Sequence, residues 1–175
     1  MNDIIKAMET RRSIRKFKSD MPPKDYINQI IEAGLYAASS RGKQAVITIA
    51  VTNKELRDRL SAVNCKIGGW KKGFDPFYGA PVVLIVLAEK NLPNRIYDGS
   101  LVMGNMMLAA HSLGLGSCWI HRAKEVFEFE EYQNLLSELG VNGEYEGIGH
   151  CVVGYIDEDY PTAPKRKENR VFFAE

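Results

Sequence analysis

The longest apolar run in the sequence, Ala80–Ala88, strongly restricts the fold. The run is far shorter than the roughly 20 residues that a membrane-spanning helix needs. Its centre, Val82–Leu87, predicts an apolar β-strand instead. A second short segment, Val46–Val51, is rich in β-branched residues and predicts a buried strand. Cys118–Ile120 and Ile148–Tyr155 predict two more strands.

Segments with helical periodicity separate these strands. A helix longer than the first one is predicted to begin at Pro22 and Pro23, since proline is tolerated in a first helical turn. The other predicted helices are Asp3–Glu9, Asn53–Leu60, Asp98–Leu113 and Phe129–Leu139. Asn53 and Asp98 are predicted to cap the helices that they begin. A chain of 175 residues with mixed elements and no repeat predicts a single domain, residues 1–175, in which helices wrap a central sheet.

Composition argues against several classes of partner. A net charge of +1 gives no reason to expect nucleic-acid binding. Cys65, Cys118 and Cys151 are widely spaced and contain no Cys-x-x-Cys pair, which argues against a disulfide framework and a metal site. Met1–Thr10 lacks the apolar core of a signal peptide, and no run is long enough for a membrane segment. We therefore expect a reduced, cytoplasmic location.

The segment Arg11-Arg12-Ser13-Ile14-Arg15 carries the first chemical signal. Three guanidinium groups can bind phosphate oxygens bidentately, and the Ser13 hydroxyl can donate a further hydrogen bond. The segment therefore predicts an anion-binding site. From charge alone it is equally consistent with a solvated basic turn, or with a membrane or nucleic-acid patch, although the near-neutral balance of the whole chain weakens the last two.

Two loops carry further candidate residues. Ser39–Gln44 supplies hydroxyl groups, a cation and an amide between a helix and a strand, where binding residues are common, although it also fits a simple polar connector. Gly114–Arg122 follows a helix instead of a strand and lacks a third glycine, so it is not a dinucleotide fingerprint. Its glycines predict a tight turn into a strand that ends near Trp119. His121 is a candidate acid, but a lone histidine beside Arg122 is more often structural.

Four motifs taken together resemble the nitroreductase family in its short form. In chain order they are the Arg-Arg-Ser-Ile-Arg segment, the Ser39–Gln44 loop, Gly-Ala-Pro before the apolar strand, and the helix and turn that lead to Trp119. The resemblance extends from about Ile4 to Gly154. It implies an α+β fold with a central, mostly antiparallel sheet. It also implies a homodimer in which the C-terminal tail, about residues 157–175, extends onto the partner subunit.

The resemblance further implies an FMN-dependent oxidoreductase. Hydride would pass from NAD(P)H through flavin N5 to a small oxidised acceptor, such as a nitroaromatic or a quinone, in a ping-pong cycle that needs no side-chain acid or base. No catalytic residue is therefore predicted. Two alternatives stay open: a flavin-binding protein without turnover, for storage or sensing, and an enzyme of the same fold with different chemistry, such as dehalogenation or dehydrogenation.

Site residues follow from the same resemblance. Arg11, Arg12 and Ser13 are expected at the phosphate and ribityl chain, and Arg15 at the N1/C2 edge of the flavin, where a cation would stabilise the charge of the reduced ring. The remaining expected contacts are Ser39, Ser40, Arg41 and Gln44 from the partner subunit, Trp119, Ile120 and His121 beside N5, and Arg166 from the tail, with Lys165 and Lys167 as alternatives. Gly42 and Ala45-Val46 depart from the family pattern. The glycine-containing Lys66–Phe77 stretch is a candidate substrate lid.

Overall fold

A computed structural model describes residues 2–174 and contains one four-stranded sheet. Its strands are β1 (Val46–Val51), β2 (Val82–Glu89), β3 (Gly116–Ile120) and β4 (Tyr145–Gly154). They lie in the order β1-β2-β4-β3, and every neighbouring pair is antiparallel. The helices are α1 (Asp3–Thr10), α2 (Lys24–Leu35), α3 (Lys54–Ile67), α4 (Arg95–Ser112), α5 (Ala123–Val126) and α6 (Glu130–Glu138). The predicted antiparallel α+β fold is confirmed.

The apolar run forms β2, which lies inside the sheet between β1 and β4. Helices cover both sides of the sheet, so both faces of β2 are buried and the strand is continuously apolar instead of alternating. Val82, Leu84 and Val86 pack on the side of α2 and α4. Val83, Ile85 and Leu87 pack on the opposite side, with α3, α5 and α6. The connection between α4 and β3 is short, because Gly114, with a φ of 75°, reverses the direction of the chain directly after the helix.

Several element boundaries differ from the sequence prediction. Helix α3 continues to Ile67, past the predicted end at Leu60, because Ser61, Asn64 and Cys65 are buried by neighbouring segments and do not form an apolar stripe that periodicity can detect. Strand β4 begins at Tyr145, three residues before the predicted start, and its register with β2 shifts at the glycine-rich Gly147–Gly149. A Cβ at Gly147 would lie 2.3 Å from the Ala123 carbonyl carbon, so only glycine permits this contact with α5.

The chain after α1 extends the sheet at the outer edge of β3. Ser13 forms an isolated parallel bridge with Ser117, and the Ile14 amide donates to the Ser117 carbonyl at 3.0 Å. Phe17 forms a second bridge with Ile156, just beyond β4. The basic N-terminal segment is therefore fixed next to the strand that carries Trp119. Among the residues that the structure describes, no helix combines the length and the apolar character needed to cross a bilayer.

Candidate functional site

A cationic cavity of about 660 Å³ lies between the end of α1 and the C-terminal tail. Three of the predicted phosphate contacts, Arg11, Arg12 and Ser13, line it together with Arg166 from the tail. The cavity is completed by Met8, Glu9, Ala163 and Pro164. The structure thus brings together side chains from two ends of the sequence, and of the three candidate tail cations it places Arg166 at the cavity. Lys165 instead lies 3.5 Å from Glu168.

Arg11 and Arg12, which directly follow α1, have only part of their hydrogen-bond donors satisfied. The Arg12 Nη1 group donates to the backbone carbonyls of Glu9 and Arg11, at 2.8 and 2.6 Å. Arg12 Nε and Arg11 Nη1 are buried and have no hydrogen-bond partner among the described residues. A buried N–H of a charged group without an acceptor is costly, and native proteins usually satisfy it. Guanidinium nitrogens that lack acceptors in this way are typical of a site that binds an anion.

Tyr160 and His111 attach the start of the tail to this site. The Tyr160 hydroxyl donates to the Thr10 carbonyl at 3.0 Å and accepts from the Arg12 amide at 3.1 Å. The His111 ring lies between the two hydroxyl groups, with Nδ1 3.1 Å from Tyr160 and Nε2 2.9 Å from Thr10. Burial lowers the pKa of His111, and the positive charges of Arg11 and Arg12 lower it further. The imidazole therefore adds no strong positive charge at neutral pH.

Arg15, expected at the flavin edge, lies at the border of the same region. Its amide donates to the Glu158 carboxylate at 2.5 Å, while the residue itself is exposed. Burial raises the pKa of the nearby Cys118 thiol, and the positive charge of Arg15 is the largest influence that opposes the shift. The Arg15 guanidinium therefore projects its charge toward β3, and no carboxylate of the described residues pairs with it.

The Ser39–Gln44 loop lies at the other end of α4. The Ser40 amide donates to both carboxylate oxygens of Asp98 at 3.1 Å, and Asn94 donates to the Ser40 hydroxyl at 2.7 Å. Asn94, not Asp98, is the N-cap of α4, so the predicted cap is wrong. Asp98 lies inside the first turn of α4 and is buried, and its carboxylate accepts the hydrogen bonds from the Ser40 amide. Arg41 and Gln44 have positive φ values of 53° and 50°.

The cavity and this loop are therefore separated within one chain. Asp98 contacts the loop at the start of α4, and His111, in the last turn, contacts Thr10 and Tyr160 beside the cavity. At a rise of 1.5 Å per residue, the two contacts are about 20 Å apart along the helix axis. The loop is also held to α4 by hydrogen bonds and is not free to move to the cavity. One chain does not assemble both predicted halves of the site.

The β3 end carries the third group of candidates. Ile120 is buried and pairs with His150 in β4, while the Trp119 ring lies against Gly149, where a Cβ would come within 2.5 Å of the indole nitrogen. The indole nitrogen is buried and has no hydrogen-bond partner among residues 2–174. The His121 side chain is exposed, and its backbone carbonyl accepts from Asn64 at 2.8 Å. No side-chain hydrogen bond from the described residues orients the His121 ring.

The predicted lid is in part helical. Lys66 lies in the last turns of α3, and the loop proper follows Ile67. The Trp70 and Phe74 rings lie 5.2 Å apart, and the Arg122 guanidinium lies 4.4 Å from the centre of the Trp70 ring. A groove of about 670 Å³ runs between α3 and the loop. The loop therefore contacts the residue that follows His121.

Sequence reasoning missed the polar residues that hold these segments in place. They are Asn94, His111, Glu158 and Tyr160, together with Arg57 and Asp75 beneath the lid. Most of their partners are distant in the sequence; Tyr160 and Arg12, for example, are 148 positions apart. No local pattern marks such pairs. Asp98 was predicted as a helix cap, and the structure places it instead inside the first turn as the buried acceptor of the Ser40 amide.

Comparison with known proteins places these features in a family. The model of the nitroreductase family matches residues 8–66 and 69–159. The solved structure of a nitroreductase with bound FMN from Bacteroides fragilis is 27% identical to this chain, with a TM-score of 0.88. A nitroreductase with bound FMN from Desulfitobacterium hafniense is 25% identical, with a TM-score of 0.87. Both comparisons cover 100% of this chain and 100% of the other chain. The FMN reductase [NAD(P)H] of Bacillus subtilis is 30% identical over an alignment of 168 positions, which covers 79% of this chain. The chain spans 60% and 65% of the length of the curated relatives from Methanothermobacter thermautotrophicus and B. subtilis.

Proposed function

Because the chain belongs to the nitroreductase family, we propose that it is an FMN-dependent oxidoreductase that uses NAD(P)H to reduce a small oxidised acceptor such as a nitroaromatic or a quinone. The observation that carries the proposal is the cationic cavity, with its two buried guanidinium nitrogens that lack acceptors. FMN-bound relatives of the same fold and the NAD(P)H-dependent FMN reductase of B. subtilis support the cofactor and the electron donor.

The residues present fit the phosphate end of FMN. A phosphate monoester carries close to two negative charges and three acceptor oxygens, which match the free N–H groups of Arg11 and Arg12. Ser13 and Arg166 line the same cavity and would supply further donors. Tyr160 holds the Arg12 backbone and the tail in position. These residues bind and orient; none of them needs to transfer a proton.

We further propose that Trp119, Ile120 and His121 present their backbone to the ring system, with the exposed Arg15 guanidinium at its N1 edge. Bound at these residues, FMN would supply the capacity to take up hydride from NAD(P)H and to reduce the acceptor, which we propose occurs in a ping-pong cycle. A fixed cation near N1 stabilises the negative charge that the reduced ring carries there. The proposed hydride chemistry needs no side-chain acid, so the exposed His121 side chain is assigned no catalytic role.

We propose that each site is completed by a second copy of the chain. The Ser39–Gln44 loop is fixed about 20 Å from the cavity along α4. A loop of the partner subunit would therefore be the one that reaches the cofactor. Many apolar side chains are also exposed on or next to α1, α2 and α4, of which α1 and α2 both contact α4. They are Ile4, Ile5, Met8, Leu35, Tyr36, Ile96, Tyr97 and Leu101.

The same assembly gives a role to the C-terminal tail. Phe172 and Phe173 are each 84% exposed, beyond the point where Arg166 lines the cavity. Large aromatic side chains of this exposure are typical of an interface. We propose that they pack on the partner subunit. Gly104 on α4 has open space around its Cα, which would let two copies of this helix approach closely.

The first experiment is an absorption spectrum of the purified protein, followed by anaerobic addition of NADH or NADPH. A bound flavin whose visible band bleaches within seconds, and returns on addition of a nitroaromatic or quinone, is the expected result. A flavin that binds but does not bleach would identify a storage or sensing protein. Bleaching without reoxidation by either acceptor would indicate different chemistry, such as dehalogenation.

Sedimentation analysis tests the shared site. Since a ligand that binds only the assembled form stabilises it by mass action, FMN should shift the chain toward a dimer at micromolar concentration. A monomer that retains FMN stoichiometrically would rule out the contribution of the partner's loop. A loop variant, Ser40→Ala, should weaken FMN binding in the dimer without changing the cavity of Arg11 and Arg12.

A further inference from the structure

We propose that the groove between α3 and the following loop is the acceptor site and that it selects planar aromatic anions. The proposal rests on the oxidoreductase function proposed above and names the substrate class of that enzyme. The groove has a volume of about 670 Å³, which suits a ligand of small-molecule size. The lining residues on which the argument depends are Lys66, Trp70, Lys72 and Phe74.

The aromatic residues supply the surface for a flat ring. Trp70 and Phe74 are 39% and 42% exposed, and their ring centres lie 5.2 Å apart at an angle of 53°. Large aromatic side chains that stay exposed inside a concave groove are available for stacking on a planar ligand. Two tilted rings at this spacing accept a flat molecule against one ring and edge-on to the other.

The groove is held in shape before any ligand arrives. The Trp70 amide donates to the Cys65 carbonyl at 3.2 Å, and the Phe74 amide donates to the Lys71 carbonyl at 3.0 Å. Gly69 and Gly73 have φ values of 68° and 92°, which side chains adopt only with strain. Binding to this preformed loop therefore requires little ordering.

Charge defines the ligand class. The groove is lined by three cations and two carboxylates, and the two carboxylates, Asp58 and Asp75, both pair with Arg57. Lys66 and Lys72 are exposed, and neither has a carboxylate within 4.0 Å among residues 2–174. The groove therefore presents uncompensated positive charge next to exposed aromatic rings. That combination favours an aromatic carboxylate over its neutral amide.

The groove is connected to the proposed flavin site. The Arg122 guanidinium lies 4.4 Å from the centre of the Trp70 ring, and Arg122 directly follows His121. Asn64, on α3, donates to the His121 carbonyl at 2.8 Å. The loop and the strand end that is expected beside N5 are thus in direct contact. Arg122 adds a further cation at the junction.

The test compares 4-nitrobenzoate with 4-nitrobenzamide as acceptors for the holoenzyme, since the two differ mainly in charge. We expect kcat/KM to be about three- to tenfold higher for the anion, as one or two exposed charge pairs would give. The preference should shrink as salt is raised from low to physiological ionic strength. The double variant K66Q/K72Q should bring the ratio close to one, because it lowers kcat/KM for the anion more than kcat/KM for the amide. Lys90→Gln, an exposed lysine elsewhere, is the matched control.

A binding measurement separates this proposal from the one on which it rests. Calorimetric titration of the oxidised holoenzyme with 2-naphthoate and 2-naphthamide needs no turnover. The naphthoate should bind more tightly, Trp70→Leu should weaken both, and Trp70→Phe should restore most of the affinity. Equal kcat/KM for the two nitro compounds, or K66Q/K72Q affecting both equally, would overturn the acceptor site. Absence of flavin bleaching by NAD(P)H would instead overturn the proposed function, while leaving the naphthoate titration interpretable.

Discussion

Two regions of the molecule hold arginine charges in opposite ways: one satisfies a buried guanidinium, and the other leaves nitrogens of two half-buried guanidinium groups without acceptors. Arg57, 8% exposed beneath the 68–79 loop, donates through Nε to the Ala80 carbonyl at 3.0 Å and pairs with Asp58 and Asp75. At the cationic cavity, Arg11 and Arg12 each retain a buried nitrogen without an acceptor. The same residue type is satisfied in one region and incomplete in the other.

The difference separates structural from ligand-binding charge. Asp75 also accepts from the Ser61 hydroxyl and from the Gly79 amide, so the network around Arg57 is closed and connects α3 to the loop. A closed buried network needs no further partner, whereas a buried donor without an acceptor is costly in a folded protein. Among the described residues, the cavity therefore offers unpaired donors to an anion, and the region below the loop does not.

Breaking the closed network should have the largest effect. Arg57→Met removes the partner of two carboxylates, one of them half-buried, and should lower the free energy of unfolding by about 3–5 kcal/mol. Urea denaturation measures the loss. Arg59→Met, which removes an exposed arginine with a long 3.8 Å contact to Glu131, should change stability by less than about 0.5 kcal/mol. If the folded Arg57→Met protein binds FMN with wild-type affinity, the Arg57 network is purely structural. A loss of FMN affinity in the folded variant would instead show that the network and the cationic cavity are coupled.

The same region should also be sensitive to acid, because it contains a fully buried histidine. His150 lies 5.2 Å from Phe77, the ring on which the Arg57 guanidinium packs. Among the described residues, neither ring nitrogen of His150 has a well-formed hydrogen bond, although the nearby backbone of Ile120 and His121 favours the charged form. Burial lowers the pKa of His150 to about 4.

The sign of the pH effect follows from that shift. Because the unfolded chain takes up a proton near pH 6.5 and the folded chain does so only near pH 4, stability is complete above pH 6.5 and falls as the pH decreases toward 4. The loss should reach about 3 kcal/mol at pH 4. The lowered pKa of His111 adds to the same trend. His150→Gln should flatten the dependence in this window, while the low pKa of Asp75 contributes only below its ordinary value of 3.8. An equally steep dependence in the variant would refute the assignment to His150.

Removing an arginine from the cationic cavity should weaken FMN binding and leave the fold intact. Arg11→Ala removes a charge-assisted contact worth about 1.5–3 kcal/mol, so the Kd for FMN should rise roughly ten- to a hundredfold. Flavin fluorescence or calorimetry measures the change, and the melting temperature of the flavin-free protein should stay close to that of the wild type. Lys16→Ala, which removes a nearby exposed cation paired with Asp157, is the control. Equal affinity in the Arg11 variant would remove this residue from the site.

The comparison also explains which features could be predicted from sequence. The strands β1 and β2 and the basic segment Arg11–Arg15 were found because their signals are local: β-branched runs and three arginines in five positions. The Arg57 network was not found, because its carboxylate Asp75 lies 18 positions away and across a loop. For the same reason α3 was predicted too short, since the packing of that loop is what buries its polar side. Pairings between distant segments carry no local pattern.

The smallest predicted effect tests whether Arg15 acts on electron transfer in addition to binding. A cation near N1 interacts more strongly with the anionic reduced flavin than with the neutral oxidised form, so Arg15→Gln should lower the midpoint potential more than it weakens binding of oxidised FMN. An exposed charge supplies on the order of 1 kcal/mol, which for a two-electron couple is a decrease of about 20–40 mV. Lys16→Gln makes the same change of charge at the next residue, where the cation already pairs with Asp157 at 3.0 Å, and should leave the potential within error of the wild type. An anaerobic redox titration of the three proteins decides between the roles. Because Arg15 is exposed and has no carboxylate partner among the described residues, an unchanged or higher potential in Arg15→Gln would mean that its charge acts only through solvent and has no part in stabilising the reduced cofactor.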